Sequence, residues 1–162
     1  MSKEHSYTTN IEWTGNKGSG TSTYLGYSRD HVLRVKDKPD LLCSSDTIFH
    51  GDKTRYNPED FLVASLSTCH MLWYLHLCAD AGIVVISYSD EAKGTLNLDP
   101  VRSRFTSVIL HPVVTITDPS KKDLALSLHD DAHHKCFISN SCNFPITHRP
   151  QILVAGDSIP HH

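Results

Sequence analysis

The sequence predicts a fold of mixed class, with two helices and several antiparallel strands in one chain, and three observations carry that expectation. Residues 57–60 read Asn-Pro-Glu-Asp and open a run, residues 61–79, with no Asp, Glu, Lys or Arg, which reads as one long capped helix. Two stretches rich in β-branched residues, IVVISYSDEAKGTLNL and FTSVILHPVVTIT, flank the turn-forming DPVRSR, as in a hairpin or meander. Finally, DPSKKDLALSLHDDAHHKC begins with a capping Asp118 and a first-position Pro119, and spaces Leu124, Leu128, Ala132 and Cys136 four residues apart. That spacing is one apolar stripe on a second helix.

From the N-terminus, residues 11–35 mix Trp13, Tyr24, Tyr27, Val32 and Leu33 with the turn cluster TGNKGSGTS, predicting antiparallel strands joined by a loop. Residues 36–60 carry Pro, Asp, Gly and Ser without periodicity and read as a long surface loop of the length that usually has a function. At its end Asn57 caps the helix, Pro58 takes the first position, and Glu59 and Asp60 complement the positive end of the dipole. The helix is expected to run to about Ala81, because Gly82 is a natural stop. FPITHRPQILVA ends the chain as a short strand and tail. No internal repeat or low-complexity segment occurs.

With 162 residues the chain suits one domain, or one subunit of an intertwined oligomer. A net charge of -3 offers no basic face and excludes nucleic acid as an expected partner. MSKEHSYTTNIEWTG lacks the apolar stretch of a secretory leader, so a cytoplasmic location is expected, where thiols stay reduced. Five cysteines, an odd number, then do not read as a disulfide framework.

By length alone, residues 61–79 satisfy the rule for a membrane span. Ser65, Ser67, Thr68, His70 and His76 would place polar groups in hydrocarbon, and no Lys/Arg cluster marks a flank. The better reading is a helix buried in a core, and one subunit of this size can hardly wrap it. A homodimer that buries it against a second copy is therefore expected, and no membrane. Cys69 falls mid-helix, where a plain thiol is a small, inert hydrophobe. To act as a nucleophile it needs a nearby cation, for which Arg29, Arg34, Arg55 and His70 are candidates.

At these residues the chain resembles the OsmC/Ohr hydroperoxide-reductase family. YNPEDFLVASLSTCHMLWYL is similar to the family's central helix motif, with Cys69 ten residues after Glu59; HHKCFISNS is similar to its second cysteine motif, at Cys136; and YSRDH, at Arg29, to the stretch supplying its arginine. The resemblance runs from about Trp13 to Pro150. It implies a swapped α+β homodimer, an OsmC-like pair of intertwined chains with antiparallel sheets around two long central helices and active sites at the interface. Arg29 would then serve the Cys69 of its own or of the partner chain. The chain departs from the pattern at Phe137, where many members have Pro, and Cys43, Cys78 and Cys142 lie outside the motifs. Cys142, six residues past Cys136, stays open as a competing resolving thiol.

The resemblance implies a cysteine-based peroxidase in oxidative-stress defence. A Cys69 thiolate would attack the O–O bond and become a sulfenic acid. Arg29 would stabilise the thiolate and the departing oxygen, Glu59 would hold Arg29 by a two-point contact, and Cys136 would resolve the sulfenic acid as a Cys69–Cys136 disulfide. An external dithiol, with lipoyl proteins as candidates, would regenerate the pair; no cofactor is called for. Phe61, Met71, Leu72 and Trp73 favour organic hydroperoxides over hydrogen peroxide. Two rival readings stand beside this one. His129, His133 and Cys136 have a spacing that a zinc site can use, and an apolar pocket lined by Cys69 can bind a small hydrophobic ligand without catalysis.

Overall fold

The computed structural model describes residues 3–156, which divide into two units, one up to Phe61 and one from Leu62. The first unit holds an antiparallel sheet of β1 (Asn10–Trp13), β2 (His31–Arg34) and β3 (Leu41–Cys43), in that order. Ile11 pairs with Leu33, which pairs with Leu41. Between β1 and β2, Asn16 Oδ1 accepts from the amides of Gly18 and Gly20 at 2.9 and 3.0 Å, and both glycines take the positive φ that only they adopt without strain. Residues 36–60 are not one loop. Three residues pair as β3, too few to show a period of two, and Thr47–Phe49 form a 3-10 turn capped by Asp46.

The long helix, α1, spans Pro58–Asp80. Asn57 and Asp60 cap it reciprocally: the Asp60 amide donates to Asn57 Oδ1 at 2.8 Å and the Asn57 amide to Asp60 Oδ2 at 3.1 Å. Gly82, at φ +65°, ends it. Its amide donates to Ala79 O and that of Ile83 to Cys78 O, so two of the last free carbonyls are satisfied. Lys121 Nζ donates to Gly82 O at 2.6 Å, a cation set against the negative end of the helix.

In the second unit the two β-branched stretches do form a hairpin, but each breaks in the middle. One becomes β4 (Val85–Asp90) and β5 (Lys93–Asn97), the other β6 (Arg104–Leu110) and β7 (Pro112–Ile116). Asp90 makes the bend: its Oδ1 accepts the His111 amide at 2.6 Å and its Oδ2 the Ser67 hydroxyl at 2.5 Å. The inner halves join β9 (Gln151–Val154) in the order β4-β7-β9 and the outer halves join β8 (Ile146–His148) in the order β5-β6-β8. Both late strands run parallel to their neighbours, so the sheets are mixed, not purely antiparallel. The helical segment between β7 and β8 makes that return possible, since a parallel pair needs a connection much longer than a hairpin turn. The expected tail thus supplies two strands.

That segment is α2 (Lys122–Lys135) followed by the four-residue α3 (Phe137–Asn140). Asp118 caps a preceding 3-10 turn at Pro119–Lys121. The buried face of α2 is Ala125, Leu128, His129 and Ala132; Leu124, expected inside, is 44% exposed. The stripe therefore lies one position over from the four-residue rule at its start.

Two apolar clusters fill the second unit. Leu66 packs with Val108 and Leu110 of β6, whereas Tyr74 and Cys78 pack with Val114 and Ile116 of β7 and with Ala125, Leu128 and Ala132 of α2. Cys69 and His70 lie between the two along α1, so the polar groups occupy a seam. The buried positions of α1, Leu66, Cys69, His70, Tyr74 and Cys78, form one stripe; Ala64, Thr68, Leu72 and His76 are exposed on the chain. By length and composition α1 is apolar enough to cross a membrane, yet this stripe is packed against protein on two sheets. The expectation of burial on nearly every side is not met within one chain.

Candidate active site

Cys69 comes from the middle of α1 and Cys136 from the junction where α2 ends and α3 begins. Both thiols are buried and free, and they meet: the Cys69 thiol is the side-chain neighbour of the Cys136 thiol. Cys136 belongs to neither helix fully. Its backbone is extended, its amide donates to His133 O, and its Sγ accepts the Ser139 amide at 3.4 Å as the cap of α3. Burial, then the neighbouring Cys69 thiol, pushes its pKa up to about 11. Cys136 therefore keeps its proton at neutral pH, a protonated thiol set beside the Cys69 sulfur.

The other cysteines are placed elsewhere. Cys142 Sγ faces Ile138 O at 3.4 Å and packs against the Leu66 cluster, so it is Cys136, and not Cys142, that stands beside Cys69. Cys78 lies in the Tyr74 cluster, its pKa raised by burial, and Cys43 is buried in the first unit.

Of the candidate cations, His70 is removed by the structure. It is 1% exposed, and burial, followed by repulsion from His148 and His133, lowers its pKa to about 4. It is neutral at physiological pH. Arg34 pairs with Glu12 and with Asp40, and Arg55 with Asp30 and Asp52. Arg29 has no carboxylate partner among the described residues. Its guanidinium stands 4.4 and 4.3 Å from the ring centroids of Tyr24 and Tyr27 and donates to their carbonyls at 2.7 and 2.8 Å, which holds it rigidly at the edge of an open cleft of about 430 Å³ shared with Leu25, Asp30 and His50. Glu59 sits in the first turn of α1, and its Oε2 is buried with no hydrogen-bond partner. The two-point contact between Glu59 and Arg29 is not formed within the chain.

Beside the thiol pair is a feature that the sequence reading missed. His70 of α1 and His129 of α2 share a hydrogen bond, Nε2 to Nδ1 at 2.9 Å, and His129 stacks on Tyr74 with centroids 3.8 Å apart. The rings of His148 and His133 complete the cluster, and His148 is bonded through Nε2 to Asp130. His129 Nε2 and His148 Nδ1 are buried without partners. Burial lowers the pKa of His129 to about 3. Twelve histidines in 162 residues were the signal, but the pairing of residues 59 positions apart is tertiary. The zinc trio of the sequence reading is not assembled, because His129 turns to His70 and Cys136 to Cys69. Among the described residues no three His, Cys, Asp or Glu side chains are arranged to hold a metal. Neither the cleft at Arg29 nor a second, of about 460 Å³ at Glu91–Lys93 and His111, is lined by Cys69, so neither serves the ligand-binding rival.

Comparison with known proteins matches residues 50–150 to the OsmC-like protein family. Among solved structures, an OsmC-like protein of unknown function from Vibrio cholerae O1 biovar eltor is 28% identical, with 91% of this chain and 100% of that one covered at a TM-score of 0.83. A Legionella pneumophila organic hydroperoxide resistance protein OsmC is similar in fold, at 17% identity over 94% and 100% of the two chains and a TM-score of 0.68. So is a putative organic hydroperoxide resistance protein from Vibrio cholerae with captopril in one active site, at 21% identity, 98% and 97% coverage and a TM-score of 0.63. No curated protein matches the sequence.

Proposed function

Because this chain belongs to the OsmC-like family, we propose that it is a cysteine-based peroxidase that reduces organic hydroperoxides to alcohols in oxidative-stress defence. The observation that carries this reading is the buried contact between Cys69 and Cys136, two free thiols brought together from positions 67 apart in sequence. Cys136 is protonated and so a poor nucleophile, which leaves the attack to Cys69. The Cys69 thiolate displaces alcohol from the hydroperoxide, taking one oxygen and becoming a sulfenic acid; the alkoxide takes up a proton. Condensation with Cys136 releases water and forms the disulfide, and an external dithiol returns both thiols.

Arg29 is the cation in this reading, held by two tyrosine rings and two carbonyls and paired with no carboxylate among the described residues. Its permanent charge suits both the thiolate and the oxygen that leaves. Glu59, with one orphaned carboxylate oxygen, is a ready acceptor for a guanidinium. We further propose that both needs are met in a homodimer whose second copy covers the exposed stripe of α1, including Leu72 at 59% exposure. Residues 1–162 act as one domain, in the cytoplasm, with a dithiol such as a lipoyl protein as reductant. Of the apolar residues near Cys69 in sequence, Phe61 and Met71 favour an organic substituent on the peroxide over hydrogen peroxide, whereas Trp73 turns to Lys135 and Phe137.

The test is mass spectrometry of the reduced protein after one equivalent of cumene hydroperoxide. A linkage between residues 69 and 136 is expected; full consumption of peroxide with no such linkage, or none consumed at all, would overturn the proposal.

A further inference from the structure

Cys136 needs holding. It stands where α2 has ended and α3, only four residues long, cannot hold its own geometry. Its sulfur is shared between the Cys69 contact and the α3 cap, where it accepts the Ser139 amide.

What holds it is Trp73. The chain neighbours on both sides of Cys136 come onto that one indole: Lys135 Nζ stands 5.5 Å from its ring centroid, and the Phe137 ring meets it edge-on, with centroids 6.3 Å apart and planes at 77°. Trp73 lies four residues after Cys69 on α1, hence on the same side of the helix one turn along. Its ring is fixed independently of that contact, by packing against the Tyr74 cluster and by the edge of His76 at 5.7 Å. One rigid side chain carried by the helix of the attacking cysteine therefore brackets the other cysteine on both sides.

We infer that Trp73, gripping Lys135 and Phe137, is a positioning residue for disulfide formation, the second half of the reaction proposed above, on which this inference rests. In that step the Cys136 sulfur attacks the sulfenic sulfur of Cys69, the S–S bond forms, the S–O bond breaks, and the thiol proton leaves with the hydroxide as water. The Cys136 sulfur is oxidised and that of Cys69 reduced, so no further reagent enters. The clamp raises the local concentration of Cys136 at Cys69 and touches neither the peroxide nor the first attack. It also protects the enzyme, because a sulfenic acid that waits is open to a second peroxide and to irreversible sulfinic acid.

The experiment is quenched-flow with one equivalent of cumene hydroperoxide, dimedone in the quench to tag sulfenic acid, and mass spectrometry of the Cys69 adduct and the 69–136 linkage. It is run on the wild type, Trp73→Ala, Trp73→Phe and Phe137→Ala. For Trp73→Ala the loss of peroxide keeps its wild-type rate while disulfide formation slows about tenfold, the order of one cation–π contact and one aromatic pair together. The dimedone adduct and sulfinic acid rise accordingly, and Trp73→Phe, which keeps a ring, recovers most of the rate. Phe137 is 60% exposed, so Phe137→Ala tests the clamp without endangering the fold, and a smaller slowing of the same step is expected. Disulfide formation at the wild-type rate in both alanine variants, or an equal slowing of both steps, would overturn the clamp alone. A wild type that gives neither adduct nor disulfide overturns the peroxidase reading, and the clamp with it.

Discussion

Two polar clusters share the seam between the apolar cores, and they behave in opposite ways. The thiol pair and the histidine cluster draw on the same two helices, through Cys69 and His70 on α1 and through His129 and Cys136 on and at the end of α2. Burial pushes the Cys136 thiol up, so that it stays protonated, and the His70 and His129 imidazoles down, so that they stay neutral. Yet neighbouring thiols can relieve their situation by making a covalent bond, whereas neighbouring imidazoles can only take up protons and repel. One cluster is therefore a site of chemistry and the other a latent weakness of the fold.

The largest effect should come from Cys69→Ser. Turnover of cumene hydroperoxide in a dithiol-coupled assay falls at least ~10³-fold, with the urea midpoint unchanged; a matching loss of stability would show that the two clusters are not separable. Next, Arg29→Ala slows the reaction with hydroperoxide on the order of 10²-fold and leaves the acid stability profile where it is. An unaltered rate would move the role to another cation.

Acid should act on the histidines instead. In the unfolded chain they protonate near their ordinary value of 6.5, but in the fold His70 and His129 resist down to about 4 and about 3. The unfolded state thus binds more protons throughout that window. Stability is complete above about pH 6.5 and drains away as the pH falls, by ~2 kcal/mol for each of the two at pH 5. Urea titrations at pH 7 and pH 5 measure this, and His129→Phe should flatten the difference while the 69–136 linkage still forms. The smallest effect is at Tyr74, whose hydroxyl donates to Ala125 O at 3.0 Å beneath the cluster: Tyr74→Phe costs ~1 kcal/mol and no activity.

The difference between the clusters also explains what could be read in the sequence. The start of α1 at Asn57 and Pro58, its stop at Gly82 and the hairpin around residues 99–104 rest on local chemistry, and the structure has them. Cys69 and Cys136 were legible through motifs, and the structure joins them. The histidine cluster was not legible, because His70 reads as a stray polar residue on an apolar helix, and its partner and His148 arrive from distant elements. Likewise β3 is too short to announce itself, and the breaks fall inside the two β-branched stretches, at the charged Asp90-Glu91 and at His111-Pro112, residues that a continuous strand also tolerates near its edge. The breaks come from one carboxylate that takes an amide from one strand and a hydroxyl from the helix.

That carboxylate has a consequence for variation. Ser67, bound to Asp90, stands two residues before Cys69, so the helix turn carrying the reactive sulfur is indexed to the bend and not to the far end of the ribbon. Beyond Asn97 the hairpin tip can be lengthened, trimmed or recomposed without shifting that address. Descendants of this chain can experiment there at no risk to the chemistry.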